Sequence, residues 1–328
     1  MRQTSVIYVA GHRGLAGSAI LRALRDAGYE RIVVRTHSEV DLTDGNATSE
    51  FFAETRPEYV FLAAAKVGGI QANKTFPVEF IHENILIQTN VLRSAYQTEV
   101  QRLVFLGSSC IYPRDCPQPI KEDYLLSGPL ENTNRAYAIA KICGVEACWA
   151  YNQQYGTKFV ALMPTNLYGP NDNYDLESSH VLPALLRKTH EAKIGGRHEV
   201  VVWGSGVARR EFLHADDLGN AAVKFMMLPD QQYGKLIHAD GPPLVNIGCG
   251  TDMTITELAQ AIFDTVGFRG KLAFDLSKPD GTPQKLLDVT RARSLGWSAN
   301  ISLREGLSRT YADFLKRYNG SELGGQLK

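Results

Sequence analysis

Val6-Ile7-Tyr8-Val9-Ala10-Gly11-His12-Arg13-Gly14-Leu15-Ala16-Gly17-Ser18 opens the chain and sets its architecture. The apolar run 6–10 reads as a buried strand, and 18–27 carries a helical pattern. Glycines 11, 14 and 17 fill the turn between them, the context a nucleotide-binding fingerprint needs. Glycine permits a tight turn and close backbone approach, and the helix start offers amides to a pyrophosphate. The stretch predicts a dinucleotide loop formed by Gly11, His12, Arg13, Gly14, Leu15, Ala16 and Gly17.

The same alternation continues downstream. Strands are expected at 32–35, 59–63, 103–107 and 159–163, with helices at 47–55, 78–98 and 134–155 between them. Repeated β-α units predict an α/β protein with a doubly wound parallel (Rossmann) sheet and ligands at the carboxyl ends of its strands. Beyond Pro164 the texture changes to a smaller, mixed α+β region. It has a turn-rich 168–174, helices at 181–193, 216–227, 254–266 and after Ser302, and strands at 199–203, 245–247 and 271–274. The polar 231–241 stretch reads as a surface loop. The expected division is a cofactor domain over 1–165, rejoined by segments near 212–247, and a mainly substrate-binding region over 166–328.

Composition excludes several classes. The 328 residues are 44% hydrophobic and 21% charged with zero net charge, so neither a disordered nor a nucleic-acid-binding chain is indicated. No apolar run approaches the ~20 residues of a membrane span, and the first ten residues lack a signal-peptide layout. Cys110, Cys116, Cys143, Cys148 and Cys249 are odd in number and lack metal-ligand spacing. A reduced, cytoplasmic protein without a metal site is expected.

The second strand carries the cofactor preference. An acidic residue is expected about 20 residues past the loop when NAD ribose hydroxyls are bound. Arg35 stands there instead, with His37 beside it and Arg13 inside the loop. Guanidinium groups suit a 2′-phosphate, which favours NADP. Asp41 and Leu42 lie where the adenine edge would be contacted, although a plain helix cap explains the aspartate equally well. Ala63, ending the third strand, lets the backbone approach the cofactor.

Tyr137-Ala-Ile-Ala-Lys141 puts a phenol and an ammonium on one helical face. A nearby ammonium favours phenolate, giving a tyrosine suited to proton transfer in carbonyl reduction. Ser108, after the fourth strand, would hydrogen-bond a substrate oxygen.

The glycine loop, this serine and the Tyr-x-x-x-Lys pattern resemble the extended short-chain dehydrogenase/reductases. Longer motifs narrow the resemblance. Ala63-Ala-Ala-Lys-Val-Gly-Gly69, Gly107-Ser-Ser-Cys-Ile-Tyr-Pro113, Pro164-Thr-Asn-Leu-Tyr-Gly-Pro170, Val202-Trp-Gly-Ser-Gly206, Arg210-Glu-Phe-Leu-His214 and Lys278-Pro-Asp-Gly-Thr-Pro283 are similar to the GDP-L-fucose synthase family. Its members are NADPH-dependent 3,5-epimerase/4-reductases of GDP-4-keto-6-deoxy-D-mannose.

The resemblance implies roles for individual residues. Cys110 would be the carbon base and His180 the matching acid. Tyr137 would protonate the C4 oxygen, Lys141 would lower its pKa and bind the nicotinamide ribose, and Ser108 would orient the oxygen. Further cofactor contacts would come from Leu106, Gly107, Ser109, Pro164, Thr165, Asn166, Leu167 and His180. Lys188, Trp203, Arg210, Lys271 and Asp280 would receive the GDP-sugar, and a homodimer is implied. The pattern departs at His37 and Lys188, where arginine is usual. Related dehydratases place an Asp-Glu pair where Ser109-Cys110 stands here, so water elimination is disfavoured. The alternatives are a related enzyme on another keto-sugar nucleotide and a cofactor-sensing regulator without catalysis.

Overall fold

A computed structural model describes residues 1–237, 240–278 and 280–319. The first half comprises β1 (Ile7–Ala10), α1 (Leu15–Asp26), β2 (Ile32–Val33), α2 (Gly45–Thr55), β3 (Tyr59–Leu62), α3 (Ile70–Thr75), α4 (Pro77–Gln97), β4 (Arg102–Leu106), α5 (Arg135–Tyr155) and β5 (Phe159–Pro164). β6 (Asn166–Tyr168), α6 (Val181–Ile194), β7 (Glu199–Trp203), β8 (Arg209–Arg210), β9 (Phe212–His214), α7 (Ala215–Met226), α8 (Asp230–Ile237) and β10 (Leu244–Ile247) follow. The chain continues through β11 (Met253–Thr254), α9 (Ile255–Val266), β12 (Lys271–Asp275), β13 (Gln284–Lys285), α10 (Thr290–Ser294) and α11 (Leu303–Asn319).

Ile7 and Val9 of β1 join one buried cluster, Tyr8 and Ala10 the other, so both faces of this strand are covered. Ile20 and Leu24 of α1 and Leu218 and Phe225 of α7 pack on the first face. Phe52 of α2, Leu92 of α4 and Val145 of α5 pack on the second. The six strands run parallel in the order β10-β5-β4-β3-β1-β2. The order reverses between β1 and β3, which opens a crevice at their carboxyl ends. β10 pairs with β5, and α7 is tied to α1 by the Arg22–Asp216 ion pair.

A separate apolar cluster holds Tyr168, Leu186, Val202, Leu258 and Phe314 and supports the small sheets β7–β12 and β11–β8–β13. Two expectations needed correction. The second strand stops at Val33 because the chain turns: Thr36 N donates to the Glu39 carboxylate at 2.7 Å. Much of the expected 231–241 loop is helix α8, with Tyr233, Leu236 and Ile237 buried; 238–239 lie outside the described residues. Those three positions form an apolar stripe at helical spacing beneath polar neighbours.

Candidate active site

Gly11 holds the turn after β1 with φ +81°, and a Cβ there would lie 2.7 Å from Ala64 N on the neighbouring strand end. A Cβ on Gly17 would run into the Gly11 carbonyl. At Gly14 the nearest atom is 3.5 Å away, so the fold itself leaves room for a side chain there. Gly14 also caps α1 without a side-chain hydrogen bond, and no acid occupies the first turn. Amides at this helix start are therefore available to a pyrophosphate, and the cradle fits a dinucleotide.

Arg13 and Arg35 both act on the Glu39 carboxylate, which places the two cations on one rim. Hydrogen bonds from Thr36 hold that carboxylate below its usual range, and sequence reasoning did not single it out. His37 faces Asp41 at 3.6 Å. Asp41 accepts from Thr43 N and Oγ1 and so fixes a turn, while Asp44 caps α2 through Asn46 N and Ala47 N. Leu42 is buried among α2 and α4 residues. Imidazole burial, reinforced by Arg13, pushes His12 below its ordinary pKa.

Beyond the loop, the expected contacts line the ends of β3, β4 and β5. Ala63 N donates to Ala10 O, Gly107 N to Leu162 O and Thr165 N to Ile247 O. Ser109 is buried in the short 3-10 turn after β4. Thr165 Oγ1 and Asn166 Nδ2 both donate to Glu211 O, fastening the end of β5 to β9, while Leu167 pairs with Leu213.

The catalytic candidates meet at the end of β4. Ser108 caps the 3-10 turn Ser109–Ile111, its hydroxyl accepting from Cys110 N. Cys110 is 6% exposed and Lys141 4%. Lys141 Nζ donates to Leu106 O at 2.8 Å and lies 5.8 Å from the Tyr137 ring centre. Burial brings Lys141 down to about 8, with Cys110 opposing. The expected depression of the Tyr137 phenol is not found: burial and Cys110 push it far up, and only Ser108 pulls it down. Burial likewise pushes the Cys110 thiol up, against the pull of Lys285, Ser108 and Lys141.

His180 is the N-cap of α6 and is exposed at the surface. The protein packed around it, then Lys285, pushes its imidazole below the ordinary value. Lys285 is a further residue that sequence reasoning missed. A lysine in a two-residue strand carries no pattern that separates it from solvated surface charge.

On the substrate side, Trp203 is 54% exposed, with Lys188 Nζ 5.0 Å and Lys278 Nζ 5.3 Å from its ring centre. Asp280 accepts from Ser205 N and Oγ, and Arg210 Nη2 donates to Asp280 O. These residues form one group, to which Lys278 is an addition. Lys271 does not join it. It pairs with Glu199 at the far end of the β7–β12 ladder, four residues or roughly 13 Å from Trp203.

Residues 7–247 match the model of the NAD dependent epimerase/dehydratase family. The putative GDP-L-fucose synthase 2 of Arabidopsis thaliana is 55% identical, covering 96% of this chain and 93% of that protein. The GDP-L-fucose synthase of Escherichia coli K12 is 51% identical over 94% of this chain and 96% of its own. A GDP-mannoheptose C4 reductase from Campylobacter jejuni, solved with NADP bound, superposes with a TM-score of 0.87 at 38% identity, covering 96% of this chain and 99% of that one. Similarity of this extent means that the chain belongs to the NAD dependent epimerase/dehydratase family, among its GDP-L-fucose synthases.

Proposed function

We propose that the protein converts GDP-4-keto-6-deoxy-D-mannose to GDP-L-fucose by epimerisation at C3 and C5 and NADPH-dependent reduction of the C4 ketone. The observation that carries this reading is the convergence of a thiol, a phenol, a hydroxyl and a buried ammonium at one strand end, with an imidazole at the N-cap of α6. Such a set moves protons on both carbon and oxygen. It holds no carboxylate pair of the kind that expels a hydroxyl.

Residues of the glycine loop would hold the pyrophosphate of NADPH, Arg13 and Arg35 its 2′-phosphate, and Lys141 its nicotinamide ribose. When bound, NADPH supplies the hydride. Cys110 as thiolate removes a proton from carbon, and His180 returns one. Ser108 orients the ketone oxygen and stabilises the enolate. Tyr137 then gives its proton to the C4 oxygen. Arg210 and Lys188 would neutralise the diphosphate, Trp203 would pack against a ring and Asp280 would bind hydroxyls. The division of labour places the cofactor on 1–165 and the segments near 212–247, and the sugar nucleotide on 166–328.

Homodimerisation through α4 and α5 and a cytoplasmic location complete the proposal. Stacked Tyr96 and Tyr155, 4.2 Å apart and exposed, support the first. The second is supported by the free cysteines, and no described helix is long and apolar enough to cross a membrane. The deciding experiment supplies the purified chain with GDP-4-keto-6-deoxy-D-mannose and NADPH, and its mass is taken by light scattering. GDP-L-fucose and stoichiometric NADPH oxidation are expected; absent oxidation refutes the enzymatic reading, and a monomer mass refutes the dimer.

A further inference from the structure

The motif that follows β3 ends in Gly68 and Gly69, which neither the cofactor cradle nor the proton-transfer set uses. At Gly69 φ is −67° and ψ −178°, a conformation open to any residue. Close approach, not backbone freedom, demands glycine here. A Cβ on Gly69 would lie 2.8 Å from Ser179 O and 3.2 Å from Ser178 O, and Gly69 N donates to Ser178 O at 2.8 Å. Both sides of this backbone contact are anchored. Buried Asn73 donates through Nδ2 to Gly68 O at 2.9 Å and to Gly69 O at 3.0 Å. Buried Asn84 accepts from Lys66 N and donates to Lys66 O, both at 3.0 Å. On the other side the Asp175 carboxylate accepts from Ser178 N and Oγ, each at 2.8 Å.

His180 is the next residue along. It is the N-cap of α6, and its carbonyl accepts from Ala184 N at 3.1 Å. Its backbone is thus tied to α6 on one side and, through Ser178 and Ser179, to the loop after β3 on the other. We propose that Gly69, supported by Asn73, is a positioning residue whose contact with the 178–179 backbone sets where the His180 imidazole stands relative to Cys110. The stereochemistry supplies the need. Cys110 takes a proton from carbon and leaves the electron pair in the enolate, so inversion requires a proton delivered to the opposite face. The two groups come from different halves of the chain, Cys110 from the turn after β4 and His180 from the start of α6. Their separation must be fixed by contacts between the halves. β3 lies beside β4 in the sheet, so the Gly69 loop and Cys110 share one frame, and the Gly69–Ser178 bond carries that frame to the acid. A side chain at position 69 would push the 178–179 backbone away, and a misplacement of about 1 Å costs roughly 10²-fold in rate.

This inference rests on the epimerase reading, and its test separates the two. In the ligand-free full-length protein the His180 ring resonances are recorded by NMR, assigned with His180→Asn. Gly69→Ala is expected to move them while those of His214, on β9, stay in place. In deuterated water with GDP-4-keto-6-deoxy-D-mannose and NADP+, the variant should still wash deuterium into the ring through Cys110. It should form inverted sugar about ten- to hundredfold more slowly than the parent. Unmoved His180 resonances overturn the inference, and so does inversion at the parent rate. Equal losses of exchange and inversion would reduce Gly69 to a folding role and overturn it too. A parent that neither exchanges nor inverts defeats the epimerase reading instead, and the His180 resonances still decide the contact. Should Gly69→Ala fail to fold, Asn73→Ser, which releases both glycine carbonyls, gives the same readings.

Discussion

Tyr137 is pushed above the ordinary tyrosine value, so the phenol keeps its proton at neutral pH and gives it up only as negative charge develops on the C4 oxygen. Burial dominates, and the Lys141 ammonium, turned to the Leu106 carbonyl, does not offset it. Tyr137→Phe is therefore expected to slow NADPH oxidation by about 10²–10⁴-fold, the usual worth of a general acid. Ring-proton exchange through Cys110 should persist in that variant, measured by deuterium incorporation. Loss of both activities would place the tyrosine in the carbon chemistry as well. The Tyr-x-x-x-Lys spacing was enough to find the pair. It was not enough to give the sign of the phenol's shift, because desolvation depends on what encloses the ring.

Glycine in the first turn of α1 shows how an element's packing sets a binding loop. Gly17 lies against the Gly11 carbonyl, so the helix start and the turn after β1 are in backbone contact. Gly17→Ala must push them apart, at a cost of about 1–3 kcal/mol typical of overpacking. The expected result is NADPH affinity weakened roughly ten- to hundredfold, read by fluorescence titration. Unchanged affinity would show that the loop does not hold the pyrophosphate. Glycine positions are legible in a sequence because few other residues fit such turns. By contrast, β13 is two residues long and exists through partners far away in the chain. Arg209 N reaches Pro283 O, and Leu287 N reaches Glu211. No local pattern announces it, which is why Lys285 was missed.

Across the whole molecule, pH-dependent stability has an identifiable contributor in the substrate region. Asp172 is 4% exposed, and burial raises its carboxyl to about 7, with Asn173 N and Arg317 opposing. The folded state then binds a proton that the unfolded chain releases near 4. Its stabilising contribution is present below the unfolded pKa and is lost as pH rises towards 7. Asp172→Asn should remove that slope. Relative to the variant, the parent should lose stability between about pH 4 and about pH 7, on the order of 1 kcal/mol or more in denaturant unfolding. Parallel profiles would reject the assignment. The parallel sheet, the glycine cradle and the Tyr137/Lys141 pair could be read from the chain alone, because periodicity, turn chemistry and i,i+4 spacing are local properties. The enclosure of Cys110, the downward shift of His180, the removal of Lys271 from the substrate group and the arrival of Lys285 could not. Each depends on which distant segments the fold packs together, and charge states in a cleft follow from that packing.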